Sequence, residues 1–366
     1  MRILVSGAGI AGLSAGITLG AAGHDVTLAE RASHLRVNGS PIDIRGDAVH
    51  IASKMGLLDA IHEHRVDMSD RVCFVDEHGE VVAELPSAEI GDSTDDVEIP
   101  REDLTCILRS ALPGSAMLTF DASIAELHDD GDGVDVTFAS GARDRFDLVV
   151  GADGMHSTVR GLAFGPEREF LRHLGFYVAI TELPDYDGAN GPNPMFSIPG
   201  RTIGVATYRD EALGLFMFRS PWLDYDYHDL DQQKAILTEA YAGHDEWRIP
   251  ELIASARRDP ELYFDSVSQI LMPQWHRGRV VLVGDAAYCA SGLSGRGTSL
   301  ALTGTWLLAE AMQRHAGDLP QAFAVYERHQ RPRVMRAQAT AGPGGDLLVP
   351  PTQDAIDARN RRLQRV

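Results

Sequence analysis

The 366-residue chain is 44% hydrophobic and 23% charged, which excludes disorder as its main state and suits about two domains of ~100–200 residues each. Its 33 basic and 53 acidic side chains give a net charge of −20, which excludes the basic footprint of a nucleic-acid partner and a polybasic membrane anchor. Three cysteines (Cys73, Cys106, Cys289), odd in number and never at CxxC spacing, fit neither a disulfide framework nor a zinc site. No run reaches the ~20 apolar residues of a membrane span. The expectation is a soluble cytoplasmic protein with neither a membrane nor a nucleic-acid partner.

In chain order, residues 2–6 predict a buried strand, Ala11–Ala22 a small-residue helix and Asp25–Glu30 a second strand. That unit of about 30 residues is a parallel crossover. A glycine-bearing loop, Arg36–Gly46, leads into a helix over Asp47–His62, with Ile51, Met55, Leu58 and Ile61 at helical spacing. Residues 71–98 alternate as strands, Arg101–Leu112 forms a helix after Pro100, and Thr119–Val150 is stranded with a hairpin at Asp129–Gly133. Four strand-like runs follow, Leu174–Thr181, Met195–Ile198, Thr202–Tyr208 and Gly214–Arg219, with a turn at Asn190–Pro194; together they predict an antiparallel sheet. Helices are expected over Leu230–Tyr241, Thr298–His315 and Gln321–Arg336, and a buried strand over Arg279–Val283. The charged end is expected to be a terminal helix or frayed.

Three glycine-bearing turns carry the chemistry. Gly7-Ala8-Gly9-Ile10-Ala11-Gly12 follows a strand and opens a helix, the context a dinucleotide fingerprint needs. Gly7 permits the tight turn, Gly9 admits a pyrophosphate to the backbone, and Gly12 brings helix and sheet together. Helix N–H groups and the positive dipole end would take the phosphates. Glu30, 18 residues after Gly12, can accept from a ribose diol and would repel a 2′-phosphate. The second turn, Gly151-Ala152-Asp153-Gly154, presents an exposed carboxylate after a strand; the same pattern also serves a turn closed by its own Asx hydrogen bond. The third, Gly284-Asp285-Ala286-Ala287, continues through Gly292-Leu293-Ser294-Gly295-Arg296-Gly297-Thr298 into a long helix, and suits a polyhydroxylated chain beside a developing anion. His62 and His64, two residues apart, point to different helix faces and make no metal pair.

These turns, in this order, resemble the FAD-dependent aromatic hydroxylase family, the single-component flavoprotein monooxygenases of the para-hydroxybenzoate hydroxylase fold, and among them the compact antibiotic-tailoring and tetracycline-inactivating members. The resemblance covers all but the last ~25 residues. It implies an α/β fold: a Rossmann-like FAD-binding domain with an inserted antiparallel β-sheet substrate domain. The FAD-binding domain would be discontinuous (1–70, 98–165 and 270–340), the substrate domain would take 71–97 and 166–269, and a C-terminal helix or tail 341–366. It implies further that Gly7, Gly9, Ile10, Ala11, Gly12, Glu30 and Arg31 hold the ADP half of FAD. Asp153 and Gly154 would lie by the pyrophosphate and the nicotinamide donor, and Asp285 on the ribityl chain or pyrophosphate. Gly295, Gly297, Thr298 and Ser299 would present amides to the flavin pyrimidine edge. Arg101 and Arg36 match cofactor-contacting arginines, although an arginine in a first helical turn is also an ordinary solvated residue.

The implied activity is an NAD(P)H-consuming monooxygenation of an aromatic or polyketide-like substrate through a flavin C4a-hydroperoxide, by a monomer or homodimer using O2. Substrate-side candidates are Met195, Tyr208, Phe216 and Phe218 on the sheet, of which alternation turns about half away, and Gly292. Arg45 and Arg209 are candidates for an anionic substrate or the reductant's phosphates. No side-chain acid or base stands out. The chain departs from the family at Cys289-Ala290-Ser291-Gly292, where one or two prolines are usual. That departure motivates one rival reading, an FAD oxidase or dehydrogenase of the same fold; a second rival is a redox-silent ligand-binding flavoprotein, against which the intact Asp153, Asp285 and Gly295–Gly297 argue.

Overall fold

Three consecutive aliphatics, Ile3-Leu4-Val5, are fully buried and form the centre of a parallel sheet in the computed structural model, which describes residues 1–35, 40–68, 71–86, 93, 95–186 and 191–364. β1 (Arg2–Ser6) runs into α1 (Ile10–Ala21) and β2 (Asp25–Ala29). Next come β3 (Ile42–Ile44), α2 (Asp47–Lys54), α3 (Leu58–Glu63), β4 (Val72–Val75), β5 (Val81–Glu84) and β6 (Val97–Ile99). α4 (Arg101–Ser110) leads to β7 (Met117–Thr119), β8 (Ile124–Asp129), β9 (Val134–Phe138), β10 (Arg143–Phe146) and β11 (Leu148–Gly151). After α5 (Thr158–Ala163) come β12 (Leu171–Glu182), β13 (Asn193–Ile198), β14 (Arg201–Tyr208) and β15 (Glu211–Arg219). α6 (Leu230–Ala240), α7 (Ile249–Arg258), β16 (Tyr263–Ile270), β17 (His276–Arg277) and β18 (Val280–Leu282) precede α8 (Asp285–Tyr288), α9 (Gly297–Arg314), α10 (Leu319–Leu348) and α11 (Gln353–Leu363).

The first sheet has the order β17-β18-β11-β1-β2-β7 and is parallel except at β17. Parallel strands need crossovers, and helices cover such a sheet on its faces. One crossover is α1, which packs on α9 with Ser14 Oγ and Thr305 Oγ1 2.6 Å apart. The second sheet, β16-β12-β15-β14-β13-β4-β5, is antiparallel except for β13 beside β4. Its two faces follow the strand period of two. Tyr177, Phe196, Phe216 and Phe218 bury one face against α6 and α7. Phe176, Met217 and Val267 on the other meet Val349 and Leu293.

The structure departs from the sequence expectations in three places. The helix expected over Asp47–His62 is two, α2 and α3, because Gly56 adopts φ +71° between them. The region 249–270 holds α7 and β16, neither of which the pattern announced. α10 runs on to Leu348, through Pro332 and Pro343, where the sequence predicted an end at Arg336. Tertiary contact outweighs the breakers: a Cβ on Gly345 would lie 2.7 Å from the Phe176 ring, so this glycine allows close packing. The charged stretch at 353–363 takes the helical one of its two expected forms, α11. Arg359 is buried over Phe74, 3.6 Å from the ring, and donates to Ser197 Oγ at 3.1 Å. Among the described residues no helix is long and apolar enough to cross a membrane.

Candidate functional site

Strand order brings the three turns together. β18, β11 and β1 are neighbours and parallel, so the segments leaving them (284–287, 151–154 and 7–12) emerge side by side at the carboxyl edge of the sheet. In open parallel sheets this edge is where ligands bind. Glu30 follows β2, the next strand over. Contacts between the turns are close enough to exclude side chains. A Cβ on Gly7 (φ +95°) would fall 2.6 Å from the Ala152 carbonyl oxygen, and one on Gly284 2.7 Å from Ala11 Cβ.

At the first turn, a Cβ on Gly12 would lie 2.0 Å from the Gly7 oxygen, so this glycine is required for helix–turn contact. A Cβ on Gly9 would meet nothing within 4 Å; the space beyond the α1 N-terminus is open. No side chain caps α1, which leaves the amides around Ile10 and Ala11 facing that space. Glu30 braces the turn: its Oε2 accepts from Ala8 N at 2.7 Å and its Oε1 from Ala32 N at 2.9 Å. Each oxygen keeps a lone pair for a further donor. Arg31 is exposed beside it, and Arg36 lies outside the described residues.

The second turn corrects one expectation. Asp153 is not an exposed carboxylate: it turns inward and accepts from Ser157 Oγ at 2.5 Å and Val159 N at 3.0 Å, at the start of α5. Desolvation raises its pKa against those two hydrogen bonds. Gly154, with φ +81°, carries the chain past it. Arg160, a little further along the chain, had no role in the sequence pattern. It is fully buried, donates to Ala286 O (2.9 Å) and Met155 O (2.6 Å), and pairs with Glu167 at 2.7 Å, so it ties the second turn to the third.

At the third turn, Asp285 is accessible to solvent yet lies deep enough between the turns that desolvation raises its carboxyl pKa, while Arg101 lowers it. Asp285 is therefore on the wall of a cleft, with the Arg101 cation within electrostatic reach. A Cβ on Gly297 would point toward Asp285 Oδ1, 4.0 Å away. Gly295 takes the left-handed conformation (φ +59°), with the Arg45 guanidinium 3.0 Å from where its Cβ would be. Thr298 and Ser299 are buried in the first turn of α9, and Ser299 Oγ accepts from Arg45 N at 2.8 Å.

Several substrate-side candidates move. Arg45 is buried and paired with Asp43 at 2.8 Å, which makes it a support beneath the third turn. Arg209 pairs with Asp103 at 2.6 Å and donates to His64 O at 3.2 Å, fastening the β14–β15 hairpin to α4 and the end of α3. Phe216 and Phe218 point into the helix layer, so the register of the sheet corrects these two assignments to the substrate face, whereas Met195 pairs with Gly204 opposite Leu215, on the other face, and is covered there by Phe74 and Leu363. Tyr208 lines a hollow of about 420 Å³ with Arg101, Glu182, Glu211 and Leu213; its hydroxyl donates to Glu211. Burial and then Glu211 raise its pKa, so it stays neutral. Gly292 is exposed. Sequence reasoning missed Val178, Ile180 and Leu215, which are half-buried on the face turned toward Met68 and Leu293. They alternate with the residues of the helix layer, but only the register shows which set faces which way.

The arrangement matches known proteins. The family described as "FAD binding domain" matches residues 1–171. A Mycobacterium tuberculosis protein, Rv1260, is 40% identical over 94% of both chains. A flavin-dependent monooxygenase of Legionella longbeachae is 34% identical over 89% of this chain and 84% of its own. The crystal structure of the tetracycline destructase Tet(51) superposes with a TM-score of 0.85 at 30% identity, covering 100% of this chain and 95% of that one.

Proposed function

The chain belongs to the FAD-dependent aromatic hydroxylase family of flavoprotein monooxygenases, and from that premise we propose that it inserts one atom of O2 into an aromatic or polyketide-like small molecule, with NAD(P)H as a transient reductant. The observation that carries this reading is the convergence of the three turns on neighbouring parallel strands, with Asp285 open to the cleft between them. The balance is substrate–H, O2, NAD(P)H and a proton giving substrate–OH, water and NAD(P)+. The resemblance to Tet(51), a tetracycline destructase, supports a polycyclic, polyketide-like substrate.

The residues fit FAD. The empty space beyond Gly9 and the uncapped α1 amides suit its pyrophosphate, and the remaining lone pairs of Glu30 suit the adenosine ribose. Asp285 takes ribityl or pyrophosphate-side groups, and Arg101 offsets phosphate charge. The turn Gly295–Ser299 directs the amides of α9 at the pyrimidine edge, where the helix dipole favours negative charge. Bound FAD supplies electron transfer and oxygen activation, chemistry no side chain here offers. The protein places the partners and keeps water out; Val178, Ile180, Leu215 and Leu293 form an aliphatic wall for that purpose.

Purified protein should be yellow, consume NAD(P)H faster with a substrate from the polycyclic phenol class, and give a product two mass units heavier under 18O2. Hydrogen peroxide together with an unlabelled oxidised product would identify the same-fold oxidase or dehydrogenase instead. FAD that is bound but never reduced would identify the redox-silent binder.

A further inference from the structure

His156, just after the second turn, is clamped between two carboxylates from different parts of the fold. Its Nδ1 lies 3.0 Å from Glu167 Oε1, ahead of β12, and its Nε2 lies 3.4 Å from Asp265 Oδ1 on β16. Tyr227, from the segment between β15 and α6, stacks on the ring at 4.4 Å, and His228 packs in turn on Tyr227. The other oxygen of Glu167 pairs with Arg160 of α5 at 2.7 Å. Asp153 faces away, onto Ser157 and Val159. Charges therefore alternate along one row, Arg160, Glu167, His156 and Asp265. Burial opposes the charge on His156, but its hydrogen bonds to Asp265 and Glu167 outweigh burial and raise its pKa to about 9.

The Asp265 end of the row reaches the cofactor side. Asp265 is paired directly with Val178 of β12, so its side chain shares the face of Val178 and not that of Tyr177, which packs on α6 and α7. β16 runs along the third turn: Ile270 N donates to Cys289 O at 3.0 Å, and the Cys289 thiol meets Ser268 O at 3.7 Å. α8, which begins with Asp285, packs on the same strand. Burial raises the pKa of both Asp285 and Cys289, and the charge of Asp265 raises them further, while Arg101 lowers that of Asp285. Tyr177 and Tyr225 are also within reach of Asp265 and stay neutral, because burial raises their phenol pKa values. Two carboxylates thus bear on a cleft that has to admit a pyrophosphate. Arg101 offsets Asp285, and Arg160 is already engaged by Glu167, which leaves His156 as the counter-ion of Asp265.

We propose that His156 is a positioning residue that acts through Asp265: its cation neutralises this carboxylate and keeps it turned toward α5, which lets the anionic pyrophosphate side of FAD settle beside Asp285. The inference rests on the placement of FAD in this cleft given above. It makes cofactor affinity depend on a proton held outside the cleft, on the joint between the cofactor turn and the substrate sheet.

The test measures the Kd of FAD for apoprotein by flavin fluorescence in wild type, His156→Gln, Asp265→Asn and the double variant. Wild-type affinity should be level at neutral pH and fall about 3-fold by about pH 9.5, because the cation is lost as pH rises through about 9. His156→Gln should bind about 5-fold more weakly at neutral pH and low salt, the effect of one uncompensated charge, and show no such fall. Asp265→Asn should bind at least as tightly as wild type, also without the fall, and the double variant should regain wild-type affinity. Raising salt to about 0.5 M should remove most of the His156→Gln deficit, which a packing defect would not do. Wild-type affinity in His156→Gln, or a double variant no tighter than His156→Gln, overturns the inference. If His156→Gln does not fold, a pH dependence that persists unchanged in Asp265→Asn overturns it equally. Wild-type protein that takes up no FAD at any pH overturns the cofactor reading itself, a result distinct from both.

Discussion

Single residues in this site are constrained by tenths of an ångström. A methyl group at Gly12 would sit 2.0 Å from the Gly7 carbonyl oxygen, backbone that cannot step aside. Gly12→Ala should therefore cost about 2–3 kcal/mol, as overpacking does, and purify with less FAD; thermal melting and the ratio of flavin to protein absorbance check both. Arg160 is the residue whose weight only the structure conveys. Its guanidinium joins the second turn to Ala286 and Glu167 with no access to water. Arg160→Met should lose about 1–3 kcal/mol, because the Ala286 and Met155 carbonyls are left without their donor, with denaturant melting as the measure. Glycine spacing showed where the turns are; it was silent on which polar side chain joins them, since a buried and a surface arginine look alike in sequence.

Among the elements, α10 shows why propensity is a weak guide. Gly342 and Gly345 lie three residues apart in the same helix. At Gly342 a Cβ would find open space, so Gly342→Ala should stabilise by up to about 1 kcal/mol through helix propensity. At Gly345 the same methyl would press on the Phe176 ring at 2.7 Å and Leu293 at 3.0 Å, so Gly345→Ala should destabilise. Two melting curves test this opposition of sign. α5 carries a second element-scale device. His156, between Asp153 and the start of α5, meets Glu167 at 3.0 Å and Asp265 of β16 at 3.4 Å, with Tyr227 stacked on its ring and Arg160 on the far side of Glu167. Burial opposes its charge, but the two carboxylates outweigh burial and raise its pKa to about 9 from an ordinary 6.5. A raised folded-state pKa contributes stability that is complete below about 6.5 and is lost as pH rises through about 9. Tm should therefore fall between pH 7 and 9.5, with a flatter slope in His156→Gln.

The whole molecule carries −20 charges, and its proposed reductant is an anion. Long-range repulsion between them is screened beyond ~8 Å at 0.15 M salt. Raising ionic strength from low values should accordingly lower the KM for NAD(P)H and leave kcat little changed, provided encounter and not chemistry responds to the field. Folding stability is also coupled to cofactor binding. A ligand that binds only the folded state at 100 times its Kd adds about 2.7 kcal/mol, so deflavinated protein should melt lower and recover on adding FAD.

Motif order and residue chemistry by themselves determined the Rossmann-like half, the family and the three turns, because strand, glycine and helix N-terminus follow one another locally in the chain. Tertiary structure decided the rest. β18, β11 and β1 become neighbours only once the sheet is wound, and no local pattern states that order. Which face of β15 meets the cofactor side depends on register, and a slip of one residue exchanges Met217 with Phe216. Arg45, Arg209 and Asp153, read as open to ligands, are respectively paired with Asp43 two residues away, fastened to Asp103 on another element, and turned into the start of a helix. Charge and spacing can be read along a line of residues, but whether a charge is already neutralised depends on what folds against it.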